Sequence, residues 1–270
     1  MPEISVLMGV YYCRPDIRLL VRSVQSILTQ TVQDIELLIC DDGSTEEAAA
    51  YLDELSKRDT RIRMVREGRL FSLSEKLNAC LTVAKGQWIA RMDDDDFSHP
   101  DRFRQQLDYL DAHPEVGFVG CNVNLFLDGQ LLGIRRLPER PEIKDFYITQ
   151  PYIHPALMFK RDIILDVQGY SQDKHCLLCE DYDLLLRLYE NGYRGANIQK
   201  VLFDYTLSDS LNSRRAFKYR INEMITRYRR FSRLQKLPRA LPYVIKPILV
   251  GLLPEKILKA IKKNKIAKNQ

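Results

Sequence analysis

The sequence predicts an α/β fold: a Rossmann-like, mostly parallel sheet flanked by helices, followed by a basic helical C-terminal segment. Three observations carry that expectation. Short β-rich apolar runs alternate with helix-period segments three times before residue 91, with connections short enough for parallel βαβ units. Each of three runs leads into a polar turn, which should bring Val10-Tyr11, Asp41-Asp42 and Asp93 to Asp96 to one rim of the sheet, where open α/β sheets take ligands. The charge also breaks late in the chain. Residues 1–213 hold 24 Lys and Arg against 34 Asp and Glu, whereas residues 214–270 hold 17 against 2. That division predicts an acidic body over 1–213 and a basic amphipathic helical tail over 214–270 with a partner of its own.

The elements follow in order. Ile4-Ser5-Val6-Leu7-Met8-Gly9-Val10 is a β-rich run that suits a central strand. Ile17, Leu20, Val21, Val24, Ile27 and Leu28 recur at helical spacing and make one apolar face. Ile35-Glu36-Leu37-Leu38-Ile39-Cys40 is a second strand, and Ser44 with Glu47 forms a capping-box pattern for the next helix. Residues 61–65 read as a third strand, residues 73–84 as a helix closed by Gly86, and the run at Trp88 as a fourth strand. A helix over about 100–112, a strand over 116–121 and a hairpin turning at Asp128-Gly129 come next. Residues 138–153 show no period and read as a mobile loop. A strand at 156–159, a short helix at 161–167 and a helix opening on Glu180-Asp181 complete the body.

Length and composition bound the class. A chain of 270 residues with 45% hydrophobic content, 12 glycines and 12 prolines is an ordinary folded protein of one large domain, with or without an appendage. The cysteines at 13, 40, 80, 121, 176 and 179 are scattered, as reduced core thiols are, and do not suggest a disulfide framework. Cys176 and Cys179 form a CxxC after His175, but no second CxxC completes a four-ligand zinc site, and they are expected to be structural, as is His99. Met1-Pro2-Glu3 runs straight into the first strand without a basic region ahead of an apolar core, so a cytoplasmic body is expected. No window reaches the roughly 18 uncharged apolar residues that a bilayer span needs.

Asp93-Asp94-Asp95-Asp96 is the feature with the most chemistry. Ionised carboxylates this close repel one another, and burying them unpaired costs several kcal/mol each. A solvated loop is the plain reading of a charge run. Here an apolar strand leads in and Ser98-His99-Pro100-Asp101 starts a helix behind, which favours a cation site at a strand end. Neither GxGxxG nor GxxxxGK[ST] occurs, so phosphate chemistry would fall to a metal or to cationic side chains.

Together these fragments resemble the inverting family 2 glycosyltransferases of the GT-A fold, over roughly residues 3–205. The resemblance rests on Ile4 to Tyr11, on Ser26-Ile27-Leu28-Thr29-Gln30-Thr31, and on Glu36 through Asp41-Asp42-Gly43-Ser44. It continues through Leu77-Asn78, Ala84 to Asp96, His154-Pro155 and Glu180-Asp181. Each fragment is weak alone, and their order and spacing are specific. The resemblance implies a donor half of about 1–98 and an acceptor half of about 99–213.

It also implies roles. Val10, Tyr11 and Asp42 would hold the base of a nucleotide-sugar donor, with UDP the expected nucleotide, since a carboxylate can accept the N3–H of uracil and an aromatic ring can stack on it. Asp93-Asp94-Asp95 stands at the family's DxD motif. Asp95 would ligate Mn²⁺ or Mg²⁺, with Asp93 or Asp94 reaching the metal, its waters or the ribose; oxygen ligands suit both cations. Arg69 and Lys76 are candidates for cationic help at the diphosphate, with a solvated surface position the equal alternative. Asp181 would be the base that deprotonates the acceptor hydroxyl, with Glu180 positioning the acceptor. His154 borders this region, as a contact or as a packing residue. The family's arginine-histidine pattern after the last core strand is replaced here by Leu202 to Ser208, so any donor contact from that pattern is withdrawn.

The tail has its own reading. Apolar residues at helical spacing alternate with arginines over 214–235, an apolar stretch follows over 241–253, and six lysines fall between 256 and 268. This suits a segment lying on an anionic membrane surface at the inner face of the cell membrane, in preference to nucleic acid, for which no recognised module is present. The expected activity is hexosyl- or N-acetylhexosaminyl transfer to a saccharide or lipid-linked saccharide acceptor in surface polysaccharide synthesis. Two rivals differ in kind. A sugar nucleotidyltransferase would want a glycine-rich N-terminal loop that is missing, and a non-catalytic sugar-nucleotide-binding or scaffold protein would not need the intact acidic cluster and Glu180-Asp181.

Overall fold

The computed structural model describes residues 2–14, 16–66, 70, 72–207 and 216–252. Strands β1 (Ile4–Val10), β2 (Ile35–Asp41), β3 (Ile62–Met64) and β4 (Trp88–Arg91) pair in parallel in the order β3-β2-β1-β4. Helices α1 (Arg18–Leu28), α2 (Glu46–Arg58) and α3 (Leu73–Val83) make the crossovers. Strand β1 is covered on both faces: Val6 and Met8 face the core beneath α1 and α2, and Leu7 faces the core beneath α3. This is why β1 reads as an apolar run whose one polar side chain, Ser5, is buried and hydrogen-bonded to Glu36 and to the Gly86 amide. At the start of α2 the expected cap is displaced by one residue. Thr45 Oγ1 accepts from the Ala48 amide, while Ser44 Oγ accepts from the Tyr12 amide at 2.8 Å and donates to Asp41. The capping box that does form is Ser72 with Glu75, at α3.

The second half extends the sheet with mixed pairing. After β5 (Phe97–Ser98) and α4 (Arg102–Ala112), a continuous β6 (Phe118–Leu127) turns through Asp128 (φ 50) and Gly129 (φ 77) into β7 (Gln130–Arg135). The expected strand at 116–121 and the first hairpin arm are thus one strand. Then come β8 (Met158–Lys160), α5 (Arg161–Asp166), α6 (Glu180–Glu190) and β9 (Gly195–Thr206). The order across the sheet is β3-β2-β1-β4-β8-β6-β9-β5, with β7 paired to β6. Strand β8 runs antiparallel between β4 and β6, β6 and β9 are parallel, and β5 is antiparallel to β9.

Residues 138–153, expected as a mobile loop, form a packed segment. A 3₁₀ turn (Ile143–Phe146) buries Phe146, and Tyr152 is 1% exposed. Tyr152 Oη lies 2.8 Å from Tyr189 Oη, Tyr189 Oη donates to the Pro141 carbonyl at 2.7 Å, and Tyr182 Oη donates to that of Phe146 at 2.7 Å.

Two helices close the described chain, α7 (Phe217–Arg233) and α8 (Leu237–Leu252). Much of the positive charge of α7 is matched by the body. Arg230 donates to Asp183 at 2.7 Å and to Glu190 at 3.0 Å, and Arg229 to Asp173 at 2.8 Å. Cys176 and Cys179 are buried beneath Thr226 of α7, the role of packed thiols. Among the described residues, no helix is long and apolar enough to cross a membrane.

Candidate active site

The rim forms because β1 and β2 end side by side, Val10 in register with Asp41, while β4 ends at Arg91 opposite Leu7 and the acidic turn after it runs on beside the end of β1. The Asp42 amide donates to the Val10 carbonyl at 3.4 Å, and the Tyr11 amide donates to Asp94 Oδ2 at 3.4 Å. Gly43 turns at φ 90, and a Cβ there would lie 3.3 Å from the Tyr11 ring. A left-handed turn pressed on an aromatic ring is a place for glycine. Tyr11, Asp42, Gly43, Leu73 and Lys76 line a cavity of about 470 Å³. Lys76 is 5% exposed, which rules out its surface reading. Its Nζ donates to the Val10 carbonyl at 2.6 Å and lies 5.2 Å from the Tyr11 ring centre. Arg69 lies outside the described residues.

The four aspartates divide their work. Asp93 is bound by the buried Arg91 guanidinium, and its carbonyl accepts from Ser23 Oγ at 2.6 Å. Asp95 Oδ2 faces Arg14 Nη2 at 2.5 Å. Asp96 is buried and turned inward: Oδ1 accepts from the Thr206 amide at 2.7 Å, while Thr206 Oγ1 donates to the Asp95 carbonyl at 2.6 Å. Asp96 therefore ties the acidic turn to β9. Burial, then the neighbouring Asp93 charge, pushes Asp94 up to about 6. Burial followed by Asp93 and Asp94 pushes Asp95 up to about 7, and burial with Asp93 raises Asp96 well above the usual carboxylate range. Such a cluster has more negative charge than its surroundings balance.

Facing it is the start of α6. Glu180 and Asp181 open the helix, and Asp181 Oδ1 accepts from the Tyr182 amide at 2.7 Å. A cleft of about 750 Å³ is lined by Asp93, His154, Glu180 and Asp181, together with Leu73, which also lines the smaller cavity. Of the four aspartates, Asp93 reaches this cleft. His154 is buried and its Nε2 lies 2.8 Å from Tyr170 Oη; burial, then the Arg91 charge, holds its ring neutral well below the usual histidine range. Tyr170 is clamped in turn by Asn78, which exchanges two 2.8 Å hydrogen bonds with its backbone. The wall at His154 is also propped by Arg102, fully buried, which donates to the Pro155 carbonyl at 3.1 Å and the Arg91 carbonyl at 3.3 Å.

Arg14 and Arg102 escaped the sequence reading, as did three residues that line the large cleft, Arg135, Tyr205 and Tyr219. Arg14 lies in the turn after Tyr11 and could have been suspected from that position. The others have no local signal, since their place depends on sheet pairing or on the docking of α7.

The chain matches the model of glycosyl transferase family 2 over residues 5–167, more than half its length. It is a family 2 glycosyltransferase. This glycosyltransferase is 32% identical over 267 residues to the putative glycosyltransferase EpsE of Bacillus subtilis (strain 168), covering 98% of this chain and 95% of the relative. It is 32% identical over 232 residues to the UDP-Gal:alpha-D-GlcNAc-diphosphoundecaprenol beta-1,3-galactosyltransferase of Escherichia coli, covering 84% and 82%. Among solved structures it resembles S. aureus TarS 1-349 in complex with UDP-GlcNAc (TM-score 0.69, 15% identity, 90% of this chain and 73% of that one). It also resembles the mannosyltransferase PcManGT from Pyrobaculum calidifontis in complex with GDP-Man and Mn²⁺ (TM-score 0.63, 18% identity, 97% and 80%). These likenesses establish the GT-A fold.

Proposed function

We propose that this glycosyltransferase transfers a hexosyl or N-acetylhexosaminyl group, with inversion, from a nucleoside-diphosphate sugar to a saccharide or lipid-linked saccharide acceptor in surface polysaccharide synthesis. UDP is the expected nucleotide. One observation carries the reading: Asp93 and the Glu180-Asp181 pair line one cleft, and that cleft meets the Tyr11-Asp42 cavity at Leu73. A base held by Val10, Tyr11 and Asp42 would direct its diphosphate along the acidic turn and its sugar towards Asp181. In this reading residues 1–98 bind the donor, residues 99–213 the acceptor, and residues 214–270 an anionic membrane at its inner face. A relative supports the substrate class by what its name states, since the Escherichia coli enzyme acts on a diphosphoundecaprenol-linked sugar, and the structural neighbour TarS is complexed with UDP-GlcNAc.

The residues fit a divalent cation. Burial, and after it the charge of the neighbouring aspartates, lets Asp94 and Asp95 hold protons near neutrality, which a cation would displace. Asp95 and Asp93 would hold Mn²⁺ or Mg²⁺, with Asp94 beside the ribose or the metal's waters. Among the described residues no three His, Cys, Asp or Glu side chains converge on one point, so phosphates and water would complete the coordination. When bound, the cation supplies charge stabilisation to the departing nucleoside diphosphate. Asp181 accepts the acceptor hydroxyl proton as that oxygen attacks the anomeric carbon, and Glu180 orients the acceptor. Lys76 holds the Val10-Tyr11 turn in place for the base.

The experiment is a panel of nucleotide sugars screened by thermal shift with Mn²⁺, followed by NMR of the product made with the donor that binds. Inverted anomeric configuration and loss of turnover in EDTA, restored by Mn²⁺ or Mg²⁺, are expected. Retained configuration would overturn the direct displacement, and full activity in EDTA would overturn the metal.

A further inference from the structure

The C-terminal helices carry more than a fold requires. Among the described residues thirteen large apolar side chains are exposed, and ten of them lie on α7, on α8 or at Ile148, Leu177 and Leu178 beside them. Helix α8 is apolar on two sides. Ala240, Val244, Pro247 and Gly251 are buried inward, whereas Leu241, Ile245, Leu249 and Leu252 are 46%, 43%, 57% and 65% exposed along the outer side at helical spacing. The inner contact is close: a Cβ on Gly251 would fall 2.5 Å from Arg220 Cδ and 3.0 Å from the Phe217 ring, so α8 is pressed onto α7. A row of four exposed aliphatic residues on a docked helix marks a surface that meets an apolar phase.

Beside that row runs a groove of about 300 Å³ between α8, α7 and the start of α6. Its cations are Lys246, Arg220 and Arg227. Lys246 Nζ is placed by a 2.7 Å hydrogen bond to the Ile148 carbonyl, and Arg227 by 3.0 Å bonds to the Tyr147 carbonyl and Tyr182 Oη. The groove's acids are Glu223, which Arg227 binds at 3.0 Å, and Asp181 at its inner end. Thr149, Gln150, Leu178 and Asp181 line both this groove and the large cleft, so the two are continuous at the proposed base.

We infer that this groove is a subsite for the diphosphate of a lipid-linked acceptor, delivered from an anionic bilayer on which the outer row of α8 rests. The inference rests on the proposed transfer reaction and adds where its acceptor is held. Charge complementarity selects the occupant: Arg227, Arg229 and Arg230 are bound to acids of the fold, yet residues 214–270 carry 17 basic against 2 acidic residues, and the surplus beyond those three favours an anionic leaflet. The diphosphate sits against Lys246 and Arg220, its lipid chain leaves along Leu241 to Leu252, and its sugar enters the cleft at Asp181.

The test uses the full chain saturated with UDP and Mn²⁺, so that the donor cavity is occupied. In flotation, wild type should rise with phosphatidylcholine–phosphatidylglycerol vesicles and the Ile245→Ser/Leu249→Ser variant should stay behind. In a thermal shift titration, farnesyl diphosphate should stabilise wild type more than inorganic pyrophosphate or farnesol does. Arg220→Gln/Lys246→Gln should weaken farnesyl diphosphate roughly tenfold or more. Both variants should keep the wild-type UDP–Mn²⁺ shift, which reports a folded donor site. Flotation unchanged by the α8 variant, or farnesyl diphosphate affinity unchanged by the groove variant, overturns the inference. So does a wild-type dimer that the α8 variant splits into monomers, because a second copy then covers the row. Absence of any UDP–Mn²⁺ shift in wild type would strike instead at the donor reading.

Discussion

Arg14 Nη2 stands 2.5 Å from Asp95 Oδ2, so the carboxylate proposed to hold a divalent ion already faces a cation of the protein. The Arg14 side chain is 38% exposed and that of Asp95 18%, and such a partly wet ion pair contributes about 0.2–1 kcal/mol. In the proposed reading an incoming cation competes with this pair for the carboxylate. Arg14→Gln should therefore bind Mn²⁺ about two- to fivefold more tightly in the absence of nucleotide. Free Mn²⁺ measured by electron paramagnetic resonance reads this directly, and unchanged or weaker affinity would remove Arg14 from the competition.

Asp181 opens α6 at the meeting point of the cleft and the groove, and its proposed role makes a distinct demand. Asp181→Asn keeps shape and volume but removes the basic carboxylate. Transfer should fall by roughly 10²–10⁴-fold, with the thermal shift given by UDP and Mn²⁺ retained. Glu180→Gln should act mainly on acceptor KM. Near-normal turnover in Asp181→Asn would sink the assignment.

The parts of the fold legible in the sequence are those whose burial is continuous along the chain. Strands β1 and β2 are covered on both faces and read as apolar runs, and Asp41-Asp42 and Asp93 fall at their expected strand ends. Residues 138–153 were illegible because tyrosines anchor them, and Tyr152 meets Tyr189, 37 positions further along the chain, only once the body has folded. Arg102 is hidden in the same way. Its carbonyl partners at Arg91 and Pro155 come within reach only once β4 and β8 are paired. The candidate site was legible through the order of its motifs, whereas the arginines around it were not, since an arginine facing a carboxylate across the fold looks locally like a solvated charge.

The crowded carboxylates give the protein a pH signature. Folded, Asp94 and Asp95 hold their protons up to about 6 and about 7, against an ordinary value of 3.8. Between those values the folded form binds more protons than the unfolded form, so this contribution to stability is present at low pH and is lost as pH rises through 6 and 7. A bound cation replaces the protons and removes the loss. The difference between Tm in Mn²⁺ and Tm in EDTA should accordingly widen as pH rises through that window, and Asp95→Asn should narrow it. His154 acts with the opposite sign. Its folded value is depressed, so its contribution is lost as pH falls below the ordinary 6.5, equally in both buffers, and it cancels in the difference. A pH-independent difference would show that the cation does not bind these carboxylates.

Helix α7 was expected as part of a tail, and its arginines measure how far that description holds. Arg230, with a side chain 12% exposed, joins Asp183 (1% exposed) and Glu190 across 47 and 40 residues of sequence. Removing it leaves Arg187 at 2.8 Å on Asp183 and Arg233 at 3.9 Å on Glu190, so the two buried acids keep part of their compensation. Arg230→Ala should then cost about 3 kcal/mol, the lower end of what breaking a buried ion pair costs, and lower Tm by roughly 6–12 °C. Trypsin should cut within 217–252 sooner than in wild type, and Arg230→Lys should recover part of the loss by keeping the charge without the fork that reaches both acids. A helix that merely trailed from the body would lose less than about 0.5 kcal/mol, and an unchanged Tm would show α7 to be such a tail.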